Sequence, residues 1–315
     1  MPGNDSPTPI AIIVYNRPVH TRQLLESLRK CAKFDTCPIY IFSDDAKDES
    51  HKDSVQAVRN IIHDFAEKYN AKIIEASKNL GLNTSILNGI SRIFLEHDRI
   101  IVLEDDLVLH PRTLEFMIQA LDRYADEPRV GHVSGFNFPI NYIPQEEAVL
   151  LPLFNSWGWA TWSRSWKDFE WSPDKAMKEM RKDAGLRRRL YPYYDMFTYY
   201  YQRNEMVWDL LWHWKLRSQN KLGVFPATSL IWCSGFDDTS THTGSVPKGY
   251  QASYEQVMAS KLSEIICFPE EVSANPRAIR ALRSYLRSMY SHPIRSFYRR
   301  MRGMLKAKLN WQPSR

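Results

Sequence analysis

Three consecutive carboxylates, Glu104-Asp105-Asp106, close the apolar run Ile100-Ile101-Val102-Leu103. Like charges gathered at the end of a buried strand are costly unless a cation compensates them. Carboxylate oxygens are also the ligands that hard ions such as Mg2+ or Mn2+ take. The pattern points to a divalent cation and, through it, to phosphate. The alternative is an acidic turn between a strand and a helix that begins at Pro111, with Asp106 or His110 near the helix cap.

The elements that must position these groups alternate along the first half of the chain. Short β-branched runs at residues 10–15, 39–43, 71–75, 99–103 and 130–134 read as strands, with helical patterns between them. The clearest helix carries Leu114, Met117, Ile118, Leu121 and Tyr124 on one stripe, with Pro111 in its first turn. Such alternation predicts an α/β fold: a mostly parallel sheet with helices on both faces and ligands beyond the carboxyl ends of the strands. Polar residues do follow each strand: Asn16-Arg17-Pro18, Ser43-Asp44-Asp45, the stretch from Ser77 to Asn83, and Glu104-Asp105-Asp106. Each alone is an ordinary turn, whereas their convergence on one sheet edge predicts a pocket.

From Tyr142 to Gly249 the sequence turns aromatic, with Trp157, Trp159, Trp162, Trp166, Trp208 and Trp212 among many others. Aromatic rings stack on the C–H faces of sugars, but most such residues fill cores. The four cysteines form no Cys-x-x-Cys pair, which fits reduced thiols and no structural metal. No run is long and apolar enough for a membrane span, and the first residues lack a signal-peptide pattern, so a cytoplasmic protein is expected. The formal charge of +6 belongs to the end of the chain: from Pro276 onward there are 11 Lys plus Arg and no Asp or Glu, leaving 31 basic against 36 acidic residues before it. With no recognisable nucleic-acid motif in the acidic body, no nucleic-acid partner is expected. Three divisions follow: residues 1–140, where strands and helices alternate; 141–275, aromatic-rich; and 276–315, a basic amphipathic tail.

These motifs resemble a known family. The opening Ile10-Ala-Ile-Ile-Val-Tyr-Asn-Arg-Pro18, the stretch Asn79-Leu80-Gly81-Leu82-Asn83 running on to Asn88-Gly89-Ile90, and Glu104-Asp105-Asp106 resemble GT-A type nucleotide-sugar glycosyltransferases of family 2. The order of motifs through Gly244 is similar to the inverting N-acetylglucosaminyltransferase I type. The resemblance implies a GT-A (Rossmann-like) fold and a Mn2+ or Mg2+ cofactor held by Asp106, with Glu104 and Asp105 beside it. It implies Arg17 at the donor diphosphate, Asp45 at the uracil with Asp44 as the alternate, and Gly81 and Asn88 in the nucleotide-sugar site. Ser156-Trp157-Gly158-Trp159 resembles the segment lining donor and acceptor, so Trp157 and Trp159 join the expected site. Val207-Trp208-Asp209-Leu210-Leu211-Trp212 is similar to a Trp-Asp-Asp-Trp segment that carries the general base; Leu210 replaces its second Asp, which leaves Asp209 for the role. Thr241-His242-Thr243-Gly244 stands where related enzymes have a Ser-His-Gly, which makes His242 a candidate for the metal shell or the diphosphate.

The expected function is metal-dependent inverting transfer of a sugar from a nucleoside-diphosphate donor, UDP-linked, to a hydroxyl of a glycan or lipid-linked glycan in bacterial surface polysaccharide synthesis. A sugar nucleotidyltransferase would share the sheet and the acidic site but show a Gly-rich phosphate loop where this chain has Tyr15-Asn16-Arg17-Pro18. A noncatalytic carbohydrate- or membrane-binding protein would explain the aromatics and not the carboxylates. In the tail, Ile279, Leu282, Leu286 and Met289 share one helical stripe and Arg277, Arg280, Arg283 and Arg287 another arc, and a second segment from Ile294 to Lys306 repeats the pattern. That combination predicts docking on an anionic membrane, at the inner face of the cell membrane, with a hairpin packed on the body as the alternative.

Overall fold

The computed structural model describes residues 7–142, 147–190, 193–236 and 250–289. Strands β1 (Ile10–Val14), β2 (Ile39–Ser43), β3 (Lys72–Glu75) and β4 (Arg99–Glu104) alternate with helices α1 (Pro18–Leu28), α2 (Lys52–Tyr69) and α3 (Leu82–Ile93). A tight turn at Asp105-Asp106 leads into β5 (Leu107–Leu109), followed by α4 (Thr113–Arg123) and β6 (Val130–Ser134). The second half holds β7 (Ala148–Leu151) and β8 (Trp159–Trp162), then α5 (Ser163–Trp166), α6 (Pro173–Lys182), α7 (Ala184–Leu190), α8 (Tyr193–Arg203) and α9 (Trp208–Ser218). It ends in β9 (Leu222–Pro226), β10 (Ile231–Cys233), α10 (Tyr254–Met258) and α11 (Pro276–Met289).

The main sheet has the order β3-β2-β1-β4-β8-β6-β9-β7. β1 pairs in parallel with β2 and β4, β2 with β3, and β6 with β9, while β8 and β7 run the other way. This is the mainly parallel α/β sheet that the alternation of strands and helices predicts. β8 inserts between β4 and β6 and was hidden in the sequence by its Trp-Ala-Thr-Trp composition. β10 and β5 form a separate antiparallel ribbon.

β1 is buried along its whole length because both faces of the sheet are covered, which is why its sequence is a continuous apolar run. Ile10, Ile12 and Val14 face Leu24 and Leu28 of α1 and Val58 and Ile62 of α2. Ala11 and Ile13 face Ile86 and Ile90 of α3 and Trp212 of α9. Helix α9 is buried on nearly every side, because a further cluster from α6, α7 and α8 closes over Leu210, Leu211 and Trp214. A helix apolar all round belongs between layers.

Two expectations are corrected here. The helix placed at Pro111 begins at Thr113: the Arg112 N–H is taken by His110 Nδ1 and the Thr113 hydroxyl donates to the His110 carbonyl, so residues 111–112 form a turn. The first tail helix is not an open amphipathic surface. Ala278, Leu282 and Leu286 of α11 belong to the main core, and the Tyr285 hydroxyl donates to the Tyr250 carbonyl at 2.6 Å, so the apolar stripe is covered by the body. Arg277, Arg280, Arg283 and Arg287 remain exposed. The second tail segment lies outside the described residues.

Candidate active site

The carboxyl ends of β1, β2 and β4 and the first turns of α3 and α9 surround a cavity of about 650 Å3. Asp105 and Asp106 line it from the turn between β4 and β5. The ribbon holds that turn: the Ser234 N–H and hydroxyl both donate to the Asp106 carbonyl, at 2.8 and 2.9 Å. Gly235 follows where a side chain has no room, since a Cβ there would lie 2.1 Å from Asp106 Oδ2.

Arg17 Nη1 donates to Asp106 Oδ2 at 2.9 Å and stands 3.9 Å from Asp105 Oδ1. The Tyr15 N–H donates to Asp105 Oδ2. This compensation is incomplete. Burial first, then the Asp106 charge, pushes the Asp105 carboxyl up to about 7, with Arg17 and the Tyr15 N–H opposing. Glu104 is raised well above the usual carboxylate range by burial and by Asp106, Asp209 and Asp105 together.

Among the described residues, no three Asp, Glu, His or Cys side chains converge as a ready-made metal cage, and His242 lies outside those residues. The donor set still suits a hard cation. Mg2+ and similar ions are commonly bound through one or two carboxylates, with substrate phosphates and water completing the shell. Carboxyls raised by burial and mutual repulsion are the groups such an ion would relieve.

The two aspartates after β2 part ways. Asp45 points out of the cavity to Arg59, 3.4 Å away, so its expected contact with a base is corrected. Asp44 lines the cavity and is buried. Its Oδ1 accepts from the N–H groups of Asp45 and Leu80, and its Oδ2 from Gly81 N–H and Asn79 Nδ2, at 2.8–3.2 Å. Four donors use the acceptor capacity of a carboxylate, so Asp44 ties the loop after β2 to the loop after β3.

Gly81 lines the cavity with φ +76°, a conformation that favours glycine, as it enters α3. Asn88 is exposed on the far side of α3, which corrects its place in the donor site; the neighbouring Gly89 lets the helix approach Ile13 and Phe42. The motif residue that acts on the site through another element is Asn83. Its Oδ1 accepts from the Trp208 N–H at 2.9 Å and its Nδ2 donates to the Met206 carbonyl at 3.0 Å, fastening the start of α9 to the start of α3.

Asp209 sits in the first turn of α9 and lines the cavity. Its Oδ1 accepts from the Leu210 N–H at 2.8 Å, and burial pushes its carboxyl up to about 6 against that bond. Trp157 lines the cavity, edge-on to Phe236 and Tyr250. Trp159 does not: it is fully buried, stacked on Trp208 and packed against Trp166, so its expected role in the site is corrected to the core. Sequence reasoning missed Tyr193, Met196, Tyr200 and His213, which line the wall beyond Asp209. Tyr193, Met196 and Tyr200 share one helical stripe and His213 is one turn after Asp209, but that stripe also packs on the core of α6 to α9, so period alone does not mark these residues as cavity-lining.

Residues 10–170 match the sequence model of glycosyl transferase family 2. Among solved structures the chain is similar to a mannosyltransferase, PcManGT from Pyrobaculum calidifontis in complex with GDP-Man and Mn2+, at 14% identity and TM-score 0.34 over 53% of this chain and 49% of that one. It is also similar to TarS of S. aureus, at 17% identity and TM-score 0.30 over 44% of this chain and 23% of that one. For TarS 1-349 the values are 12% and 0.44 over 72% and 60%. The chain therefore spans less than two thirds of each. No curated protein matches it.

Proposed function

The chain belongs to glycosyl transferase family 2, and from that premise we propose that it transfers a sugar from a UDP-linked donor to a hydroxyl of a glycan or lipid-linked glycan, with inversion. The observation that carries this reading is one cavity lined both by cation-seeking carboxylates, Asp105 and Asp106, and by a largely buried Asp209 whose charge is felt at Glu104. Asp106 would hold a Mn2+ or Mg2+ ion with the donor diphosphate completing its shell. When bound, that ion neutralises the negative charge that develops on the leaving diphosphate. Arg17, already at Asp106, is placed to add a guanidinium to the same phosphates. Asp209 takes the proton of the attacking hydroxyl. One base and one in-line displacement produce inversion, the course implied by the similarity to the N-acetylglucosaminyltransferase I type.

Three features support a site of this kind over a nucleotidyltransferase: no glycine-rich loop follows β1, the wall beyond Asp209 is aromatic, and a shielded base stands where an acceptor would enter. The exposed arginines of α11 suit salt-sensitive attachment to an anionic membrane beside a lipid-linked acceptor, in bacterial surface polysaccharide synthesis. The reading is tested by product analysis with UDP-sugars or with nucleoside triphosphates plus sugar phosphates. UDP release that requires Mn2+ or Mg2+ supports it. Pyrophosphate release from a triphosphate replaces it with the nucleotidyltransferase, and turnover of neither leaves a binding protein.

A further inference from the structure

The far wall of the cavity is built from two helices whose side chains meet pairwise. On α9, Asp209 and His213 are spaced i, i+4, so they stand on one stripe about 6 Å apart along the axis. On α8, Tyr193, Met196 and Tyr200 present one face to the same space. Tyr193 stacks on the His213 ring, with centroids 4.4 Å apart and planes at 28°. Tyr200 stands at the other end, its phenol raised by burial and by the charge of Asp209. His213 is 2% exposed, and its Nδ1 has no hydrogen-bond partner. Burial, with Arg217 and His132 adding to it and a hydrogen bond to the Phe154 backbone opposing, pushes the imidazole down to about 3, so it is neutral, and with Phe154 as one partner its Nδ1 is the polar atom left for a ligand. A buried polar group with unused capacity, lining a cavity and held in plane by a stacked ring, is the kind of group that reads a ligand hydroxyl.

We propose that His213 is the acceptor-reading residue: the acceptor is a pyranoside lying against the aromatic face of α8, its reacting hydroxyl at Asp209 and a second hydroxyl hydrogen-bonded to His213. This rests on the transferase reading above. Aromatic and apolar side chains favour a ring with C–H faces over an open-chain polyol, and the helical spacing sets how far apart the two hydroxyls lie. The separation lets one sugar residue engage both groups. His213 forms and breaks no bond.

The test uses the full chain with a UDP-sugar that it turns over and methyl hexopyranosides of gluco, galacto and manno configuration as acceptors, with glycerol for comparison. Wild type is expected to show saturable transfer to at least one pyranoside and a clear preference over glycerol. His213→Ala should raise the KM for that pyranoside about 5- to 20-fold, the usual range for one lost hydrogen bond to a buried group. His213→Gln should recover part of the loss, and both variants should keep wild-type affinity for UDP with Mn2+. Monodeoxy acceptors keep the question open to refutation if either variant folds poorly. With wild type, removing one particular hydroxyl should raise KM as much as His213→Ala does, and that deoxy acceptor should lose nothing further in either variant. Transfer to glycerol as readily as to pyranosides, donor hydrolysis without transfer to any pyranoside, or no deoxy position that reproduces the His213 effect would overturn the proposal. Absence of UDP binding and of donor turnover by wild type would instead remove the transferase reading, and this inference with it.

Discussion

Asp209 carries the sharpest residue-level consequence, because burial in the first turn of a helix both shields it and raises its carboxyl to about 6. A general base works deprotonated, so kcat/KM should fall as pH drops through about 6, and Asp209→Asn should abolish that limb. The same variant should bind UDP normally and transfer sugar about 100-fold or more slowly, within the range for loss of general-base catalysis; a pH-rate series on wild type and variant checks both. Asp105 gives a stability prediction of definite sign. Its folded-state pKa, about 7, lies above the unfolded value of about 3.9, so its contribution is present below pH 4 and lost as pH rises through 7. In the absence of divalent cation, Asp105→Asn should therefore gain in melting temperature relative to wild type between pH 5 and pH 8. Residue identity was legible where a motif ends a strand, as at Glu104-Asp105-Asp106 and Arg17. It failed between Asp44 and Asp45, because adjacent residues after a strand face opposite ways, and between Trp157 and Trp159, because Gly158 at φ +62° turns the chain between the cavity loop and the buried start of β8.

At the scale of elements, the site depends on how α9 is held. Its N-cap, Val207, offers no side-chain oxygen, and Asn83 of α3 accepts the Trp208 N–H in its place while donating to the Met206 carbonyl. Removing both bonds in Asn83→Ala should cost about 1–3 kcal/mol, as for loss of a cap or of paired buried groups. The shift of Asp209 should lower kcat more than it changes UDP affinity. Denaturant titration and steady-state kinetics on one preparation measure both effects. The parallel half of the sheet was readable because strands buried on both faces are written as uninterrupted apolar runs. β8 was not, since Trp159-Ala160-Thr161-Trp162 alternates nothing and draws its strand character from pairing with β4 and β6. The helices α6 to α9 share one aromatic core, and no local period separates a core tyrosine from one that lines a cavity.

For the whole molecule, the uneven charge and the placement of α11 decide what the end of the chain does. No helix among the described residues is long and apolar enough to cross a membrane. The apolar stripe of α11 is part of the main core, so Leu286→Ala should lower stability by about 2–5 kcal/mol, and a chain ending at Asn275 should melt at lower temperature than the full chain. Sequence period identified the amphipathic helix but could not say what covers its apolar side, because membrane and protein core read alike. Its exposed arginines predict co-sedimentation with anionic vesicles at low salt and release at high salt; full-length protein left in the supernatant at low salt would remove the membrane attachment. The central claim is that one cavity binds a nucleoside diphosphate through a cation held at Asp106. A ligand that binds only the native state raises its melting temperature, so the direct measurement is thermal unfolding with UDP, with Mn2+, and with both, for wild type and Asp106→Asn. The account predicts a rise with UDP plus Mn2+ that exceeds the separate effects and disappears in the variant. An equal rise in Asp106→Asn, or no response of wild type to UDP with Mn2+, would contradict it.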